Sequence, residues 1–447
     1  MLKLGQREDV TARAGLPLVI ETHRALQLDA EARRLFGPPR SKNEFGADEQ
    51  LETLAMLIAA GGDRIEDIRI LGEDKGLVRL LGRPFASPDS LLDFLNSFHD
   101  EASWKDRPKE KLAFVPPESL RLRHLETLNR ALILRAADPK CTTATIDHDG
   151  TIIESHKRGT LMAYEGTRGY QPLVATWAEE QLIVADEFRD GNVAGGEDPL
   201  SSVKRAFGNL PATVEQRYFR GDSASYYTPL LKYLEAEKIG FAISSDMSKQ
   251  LRKRCLDLPA SAWQDMETRT REQVDVAEVE FEPGDWPKQA KPLRYVALRF
   301  IPLQTSLFEP REVRYHAVVS NRRDLTAVEL IEWHRGKAGT IEHVHRVLKD
   351  ELGAGVMPCQ HFQANAAWFR INTLTFNLLT ALKRLALPER YRQARPKRLR
   401  FDLFTLAAKL TVHESQLSVN VSAAEERLQE MITARQRLLQ RLDAASA

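Results

Sequence analysis

The chain has 447 residues, 43% of them hydrophobic, and its 64 Lys and Arg stand against 63 Asp and Glu. That is a globular composition, long enough for roughly two to four domains; the balance excludes a generic polycation but leaves room for a local basic face that binds nucleic acid. No run approaches the roughly 20 apolar residues that cross a bilayer, and Cys141, Cys255 and Cys359 lack the CxxC spacing of a zinc site or disulfide framework.

The opening MLKLGQREDVTARAGLPLVIETH has no basic leader before an apolar core, so a soluble, unprocessed cytoplasmic protein is expected. Short helices follow. In DEQLETLAMLIAAGGDRIEDIRIL, Leu51, Leu54, Leu57 and Ile58 recur at helical spacing, Gly61 and Gly62 stop the helix, and Ile65, Ile68 and Leu71 open another stripe. Ser87 reads as an N-cap with Pro88 at the first helical position. Helices joined by glycine turns fit an ordinary bundle as well as a helix-turn-helix DNA reader. PPESLRLRHLETLNRALILRAA is a longer helix leading into the first strand.

From Thr142 the period is that of strands. In TIDHDGTII, Thr145, Asp147 and Asp149 share one face, and Ile146 and His148 take the other. Two acids on one strand face suit solvent or a metal ion, and the pair alone leaves both open. YQPLVATWA and QLIVADEF, joined at Glu179 and Glu180, read as a hairpin. A helix near LSSVKRAFG, a strand TVEQRYF, a helix YTPLLKYLEAEK closed by Gly240 and a strand FAIS complete the order of a ribonuclease H-like α/β fold. VDVAEVEFEPG, LRYVALRFIPL and VRYHAVVS read as three strands of an inserted β-rich segment. From Ala364 onward the pattern is helical. Its stretch KRLALPERYRQARPKRLR, with Tyr391 among the cations, is either a solvated face or a nucleic-acid contact. Leu428, Ile432, Leu438 and Leu442 are placed to form one dimerisation seam.

The expected divisions are a helical region 1–140, a first core part 141–262, a β-rich insertion 263–320, a second core part 321–385 and a basic helical region 386–447. Two further carboxylates attract attention. Asp222, in YFRGDSASY, sits between a strand and a helix, where open α/β sheets place ligands, although Gly-Asp-Ser is also good turn chemistry. In GTIEHVHRVLKDEL, Ile341, Val344, Leu348 and Leu352 form a buried stripe, and Glu342, His345, Arg346 and Lys349 lie on an adjoining face.

The strings AGGDRIEDI, IDHDGTIIE, GYQPLVATWAEEQLIVADEFRDGN, FRGDSA and TIEHVHRVLKDEL resemble the DDE transposases of bacterial insertion sequences, specifically the thirteen-eighty family related to the IS-four group. The resemblance runs over nearly the whole chain. It implies that Asp149, in its Asp-x-Thr context, Asp222 and Glu342 are the catalytic carboxylates and the ligands of two Mg2+ or Mn2+ ions, with Asp147 a secondary acid. It also implies DNA partners, both the terminal inverted repeats and the target, DNA-end binding by region 1–140, and a homodimer on DNA with no membrane association. One signature departs. Where relatives carry Tyr-x2-Arg-x3-Glu-x6-Lys, the Glu342 to Lys349 spacing agrees, but Arg335 and Ala338 replace the tyrosine and arginine. Lys349, Arg335, Lys337 and Arg346 are therefore the expected DNA-phosphate contacts, and a hairpin route of cleavage is left open. A ribonuclease H-like nuclease or resolvase would share the metal chemistry without strand transfer, and a non-catalytic DNA-binding derivative would lack it altogether.

Overall fold

A computed structural model describes residues 8–39, 41, 44–108, 112–157, 159–288, 291–303, 312–413 and 416–446. Its centre is a nine-stranded sheet. The strands are β1 (Thr143–Gly150), β2 (Leu173–Trp177), β3 (Leu182–Glu187), β4 (Gln216–Gly221), β5 (Gly240–Ser245), β6 (Gln264–Thr268), β7 (Glu272–Val279), β8 (Arg294–Pro302) and β9 (Arg314–Ser320), arranged β6-β7-β8-β9-β5-β4-β1-β2-β3. β1, β2 and β3 form an antiparallel meander, whereas β4 runs parallel to β1 and β5 parallel to β4. The parallel pairs need crossovers, supplied by the helices Pro199–Gly208 and Thr228–Ala236.

The meander, helix, strand, helix, strand order is as read from the sequence. Two details differ. Gly240 opens β5 instead of closing the preceding helix; Lys238, at φ 55°, makes that turn. The inserted segment contributes a fourth strand, β6, and does not fold apart. β9 pairs antiparallel with β5, with Ala317 opposite Ser245 and Ser320 opposite Ala242, so the insertion covers an edge that would otherwise be open and extends the core sheet.

Helices cover the sheet. The helices that matter below are α1 (Leu120–Ala136), α2 (Lys249–Leu256), α3 (Ala327–Arg346), α4 (Phe362–Leu385) and α5 (Glu425–Ser446). Every residue of α4 from Phe362 to Leu382 is buried. α4 packs against α1, β3 and the N-terminal helices Ala47–Ala60 and Pro88–Asn96, and one hydrophobic cluster runs from Leu16 through the sheet to Leu438. Region 1–140 therefore shares the core of the rest of the molecule. Its local signals hold: Gly61 ends its helix at φ 98°, and Ser87 Oγ accepts the Ser90 amide.

The C-terminal region departs from the helical expectation. Ala408–His413 and Gln416–Val421 form a β-hairpin, which pairs with Val10–Thr11. In α5, Ala434 and Leu438 are buried against the helix Leu18–Ala25, whereas Ile432 is 41% exposed. The four residues of the expected dimerisation seam thus point to different surroundings, because the helix buries its Ala434 face inside its own chain.

Candidate active site

β1 lies mid-sheet, so both of its faces are covered and neither acid faces bulk solvent along its whole length. Asp147 is fully buried. The parallel register sets it opposite Arg220 of β4, whose Nε and Nη2 donate to its two carboxylate oxygens at 2.6 and 2.8 Å, and the Thr340 hydroxyl of α3 donates to Oδ2. Arg220 Nη1 also donates to the Trp333 carbonyl at 2.7 Å. A Cβ at Gly336 would lie 2.5 Å from that Nη1, so glycine lets α3 approach the clamped guanidinium. Asp147 is the buried anion that locks β1, β4 and α3 together.

Asp149, two residues on, reaches the end of the strand and opens toward the surface. Its Oδ2 is 3.4 Å from Lys337 Nζ, and its Oδ1 accepts the Gly150 amide at 2.9 Å. Asp222 follows β4 directly, at the same end of the sheet. Burial raises its pKa above the usual carboxylate range, Lys337 opposes that shift, and the Asp149 charge adds to it. The two acids sense each other's charge, and both sense the same ammonium. His334 supports this corner: its Nε2–H donates to the Gly221 carbonyl at 3.0 Å, which fixes the residue before Asp222.

α3 presents two faces. Thr326 and Glu329 close a capping box at its start. Lys337, Ile341 and Val344 are buried, and Glu342 is exposed. Among the described residues no hydrogen bond or ion pair holds the Glu342 carboxylate. The structure brings Asp149 and Asp222 within reach of each other's charge and leaves the Glu342 carboxylate exposed. Among those residues the one trio of metal-ligand atoms lying within 4.8 Å of one another is His99, Glu101 and His361, at the junction of the N-terminal helices with α4.

The expected phosphate contacts separate in the same way. Lys337 turns inward to Asp149, and Arg335 pairs with Glu267 of β6 at 2.6 Å. Lys349, in the π-helical turn Val347–Glu351, donates to the Ile152 carbonyl at 3.3 Å, and Arg346 is exposed. The basic stretch from the last turn of α4 onward is largely paired within the chain: Arg384 with Glu180, Arg395 with Glu351 and Arg398 with Asp402. Burial pushes the Lys383 ammonium down to about 8 while it donates to the Ala394 carbonyl.

Three further groups stand around this corner, and one of them, His345, expected on the face of Glu342, is buried instead. Tyr164, 76% exposed in the turn after Leu161–Met162, is close enough for the charges of Asp222 and Asp149 to raise its hydroxyl, after the bond to Glu165 and partial burial. It lines an open cavity of about 600 Å³ with Gly150, Thr151, Glu154 and Lys349. His345 is buried, neither ring nitrogen has a hydrogen-bond partner, and burial followed by the Lys349 and Lys337 charges pushes it down to about 3. His148, on the opposite face of β1 beside Ser202, is likewise pushed to about 3 by burial and then by Arg189. Lys337 was visible: the stripe Ile341, Val344, Leu348 extended back by one turn falls on it.

A family model described as transposase DDE domain, group 1, matches residues 5–444. No curated protein matches the chain. Among solved structures, a cryo-EM structure of a piggyBac transposase synaptic complex with hairpin DNA aligns at 12% identity and a TM-score of 0.46, covering 90% of this chain and 82% of that one.

Proposed function

We infer, starting from a chain that belongs to the transposase DDE domain family, group 1, that the Asp149–Asp222 corner is where this DNA transposase breaks and joins phosphodiester bonds. The observation that carries this reading is the meeting of the two acids at the ends of adjacent parallel strands, around one buried cation. The five core strands β3-β2-β1-β4-β5, three antiparallel followed by two parallel, have the order of a ribonuclease H-like core.

The donors fit a hard divalent ion. Asp149 and Asp222 offer carboxylate oxygens, one charge raises the pKa of the other, and an ammonium already holds a cation's place. Asp149, Asp222 and Glu342 would hold Mg2+ or Mn2+, two ions in this reading; Glu342 enters by its spacing to Lys349 and by its carboxylate's freedom from other partners. The chemistry supplied when such ions are bound would be activation of a water or 3′-hydroxyl and stabilisation of the leaving oxygen. The chain's own residues set the geometry: Asp147, Arg220 and Thr340 fix β1 against α3, His334 fixes the loop of Asp222, and Lys349 stands beside the cavity where the scissile strand would lie. Cleavage at the element's ends frees 3′-hydroxyls that attack target DNA, with two copies of the chain paired on the ends. Among the described residues no helix is long and apolar enough to cross a membrane, and we assign the enzyme to the cytoplasm, where its DNA lies.

The test is to incubate the full-length chain and Mg2+ with DNA carrying both ends of its element and a target plasmid. Released ends joined to the plasmid are expected. Cleavage without joining would support the nuclease reading, and intact DNA would contradict both.

A further inference from the structure

We propose that Lys337 is an internal counter-cation of the Asp149–Asp222 pair, holding in the metal-free chain the charge position that a divalent ion takes in the active enzyme, so that metal entry requires its ammonium to leave Asp149. This deepens the transposase reading and rests on it. Lys337 Nζ stands 3.4 Å from Asp149 Oδ2, its side chain is 11% exposed, and among the described residues Asp149 is its one ion-pair partner. A buried ammonium without an anion would be costly, and two neighbouring, partly buried carboxylates without a cation would repel each other. Each half of the arrangement explains the other.

The position is held from the backbone. The Lys337 carbonyl accepts the Thr340 hydroxyl at 2.9 Å, and the same hydroxyl reaches Asp147, so this turn of α3 is pinned to β1. The side chain itself is a flexible four-carbon stem, able to move its charge without moving the helix. Lys337 also counters the effect of burial at Asp222, so its charge spans both acids. A divalent ion entering between these carboxylates must overcome a like charge already in place. An opposite charge at ~4–6 Å changes a carboxylate's proton affinity by about tenfold or more, and competition with another cation follows the same electrostatics. The arrangement makes the metal-free enzyme stable and sets the metal concentration at which it becomes active.

The test uses the full-length chain and Mn2+ alone as probe, with free Mn2+ read by electron paramagnetic resonance. Lys337→Gln should bind Mn2+ about tenfold more tightly than wild type, Lys337→Arg should remain near wild type, and Asp149→Asn in the Lys337→Gln background should lose the gain. Equal or weaker binding by Lys337→Gln would overturn the proposal. A second readout needs no substitution. With 15N-labelled lysine, the protected ammonium signal of Lys337 should disappear as Mg2+ is added to wild type; a signal unchanged at saturating Mg2+ would overturn it. Failure of the wider reading looks different: wild type would then neither bind Mn2+ nor cleave element ends.

Discussion

Asp147 and Asp149 stand on the same face of one strand, and the sheet gives them opposite work. The inner acid meets Arg220 and Thr340 in full burial; the outer one meets a movable lysine at the rim. Removing one partner of a buried pair leaves the other charge uncompensated, so Asp147→Asn should cost about 3–5 kcal/mol of unfolding free energy. Asp149→Asn should cost less, about 1 kcal/mol, because its pair is longer and partly exposed. Urea unfolding of both variants checks the ranking, and equal losses would show that Asp147 is no structural lock. The pairing of acids on one face was legible in the sequence from the two-residue period of β1. Which acid was the lock was not, since Arg220 becomes its neighbour only through the parallel register with β4. Glu342 shows the same limit from the other side: spacing selected it, but only the packing of α3 decides where its carboxylate points.

At the scale of elements, the contrast lies between basic segments that are paired and one that is not. Arg384 in the last turn of α4, and Arg395 and Arg398 beyond it, all hold carboxylates of their own chain. On α2, by contrast, Lys249, Arg252 and Lys253 are exposed, Leu251 and Cys255 are buried, and among the described residues no side-chain hydrogen bond or ion pair holds the three cations. A cation already paired releases few counterions on meeting DNA. Converting Lys249, Arg252 and Lys253 to Gln should flatten the salt dependence of DNA binding by roughly 2–3 log–log units, at about 0.9 per phosphate contact. The same change at Arg384, Arg395 and Arg398 should flatten it by less than about 1. Binding measured against salt for both variants decides, and the reverse order would return DNA contact to the tail. The sequence drew attention to the tail because its cations are dense, and partners far along the chain, such as Glu351 for Arg395 and Glu180 for Arg384, are invisible to a local reading. The hairpin 408–421 was missed for a related reason. Its alternating AKLTVH and QLSVNV carry the two-residue period of strands, but they lie between helices whose stronger pattern set the reading.

For the whole molecule, one hydrophobic cluster joins the N-terminal helices, the sheet and α5, so the site rests on a core assembled from both ends of the chain. The divisions read from composition follow changes of period along the chain; the core does not, because α4 packs against helices as distant in sequence as Ala47–Ala60. Burial at the site also sets a pH response. His345 is pushed down to about 3, below its unfolded value of about 6.5. A depressed histidine contributes stability that is present above the unfolded pKa and is lost as pH falls through the folded one. Wild type should therefore lose stability relative to His345→Leu by about 1.4 kcal/mol per pH unit between about pH 6 and pH 4. Parallel pH curves for the two proteins would contradict this. The claim on which the rest depends is that the acids gathered at the ends of β1 and β4, with Glu342, cut DNA. Its most direct test is single-turnover cleavage of element-end DNA in Mg2+ by wild type, Asp149→Asn, Asp222→Asn and Glu342→Gln, with end binding measured in parallel. All three variants should bind the ends and none should cut them, whereas cutting at the wild-type rate by any one of them would contradict its place in the site.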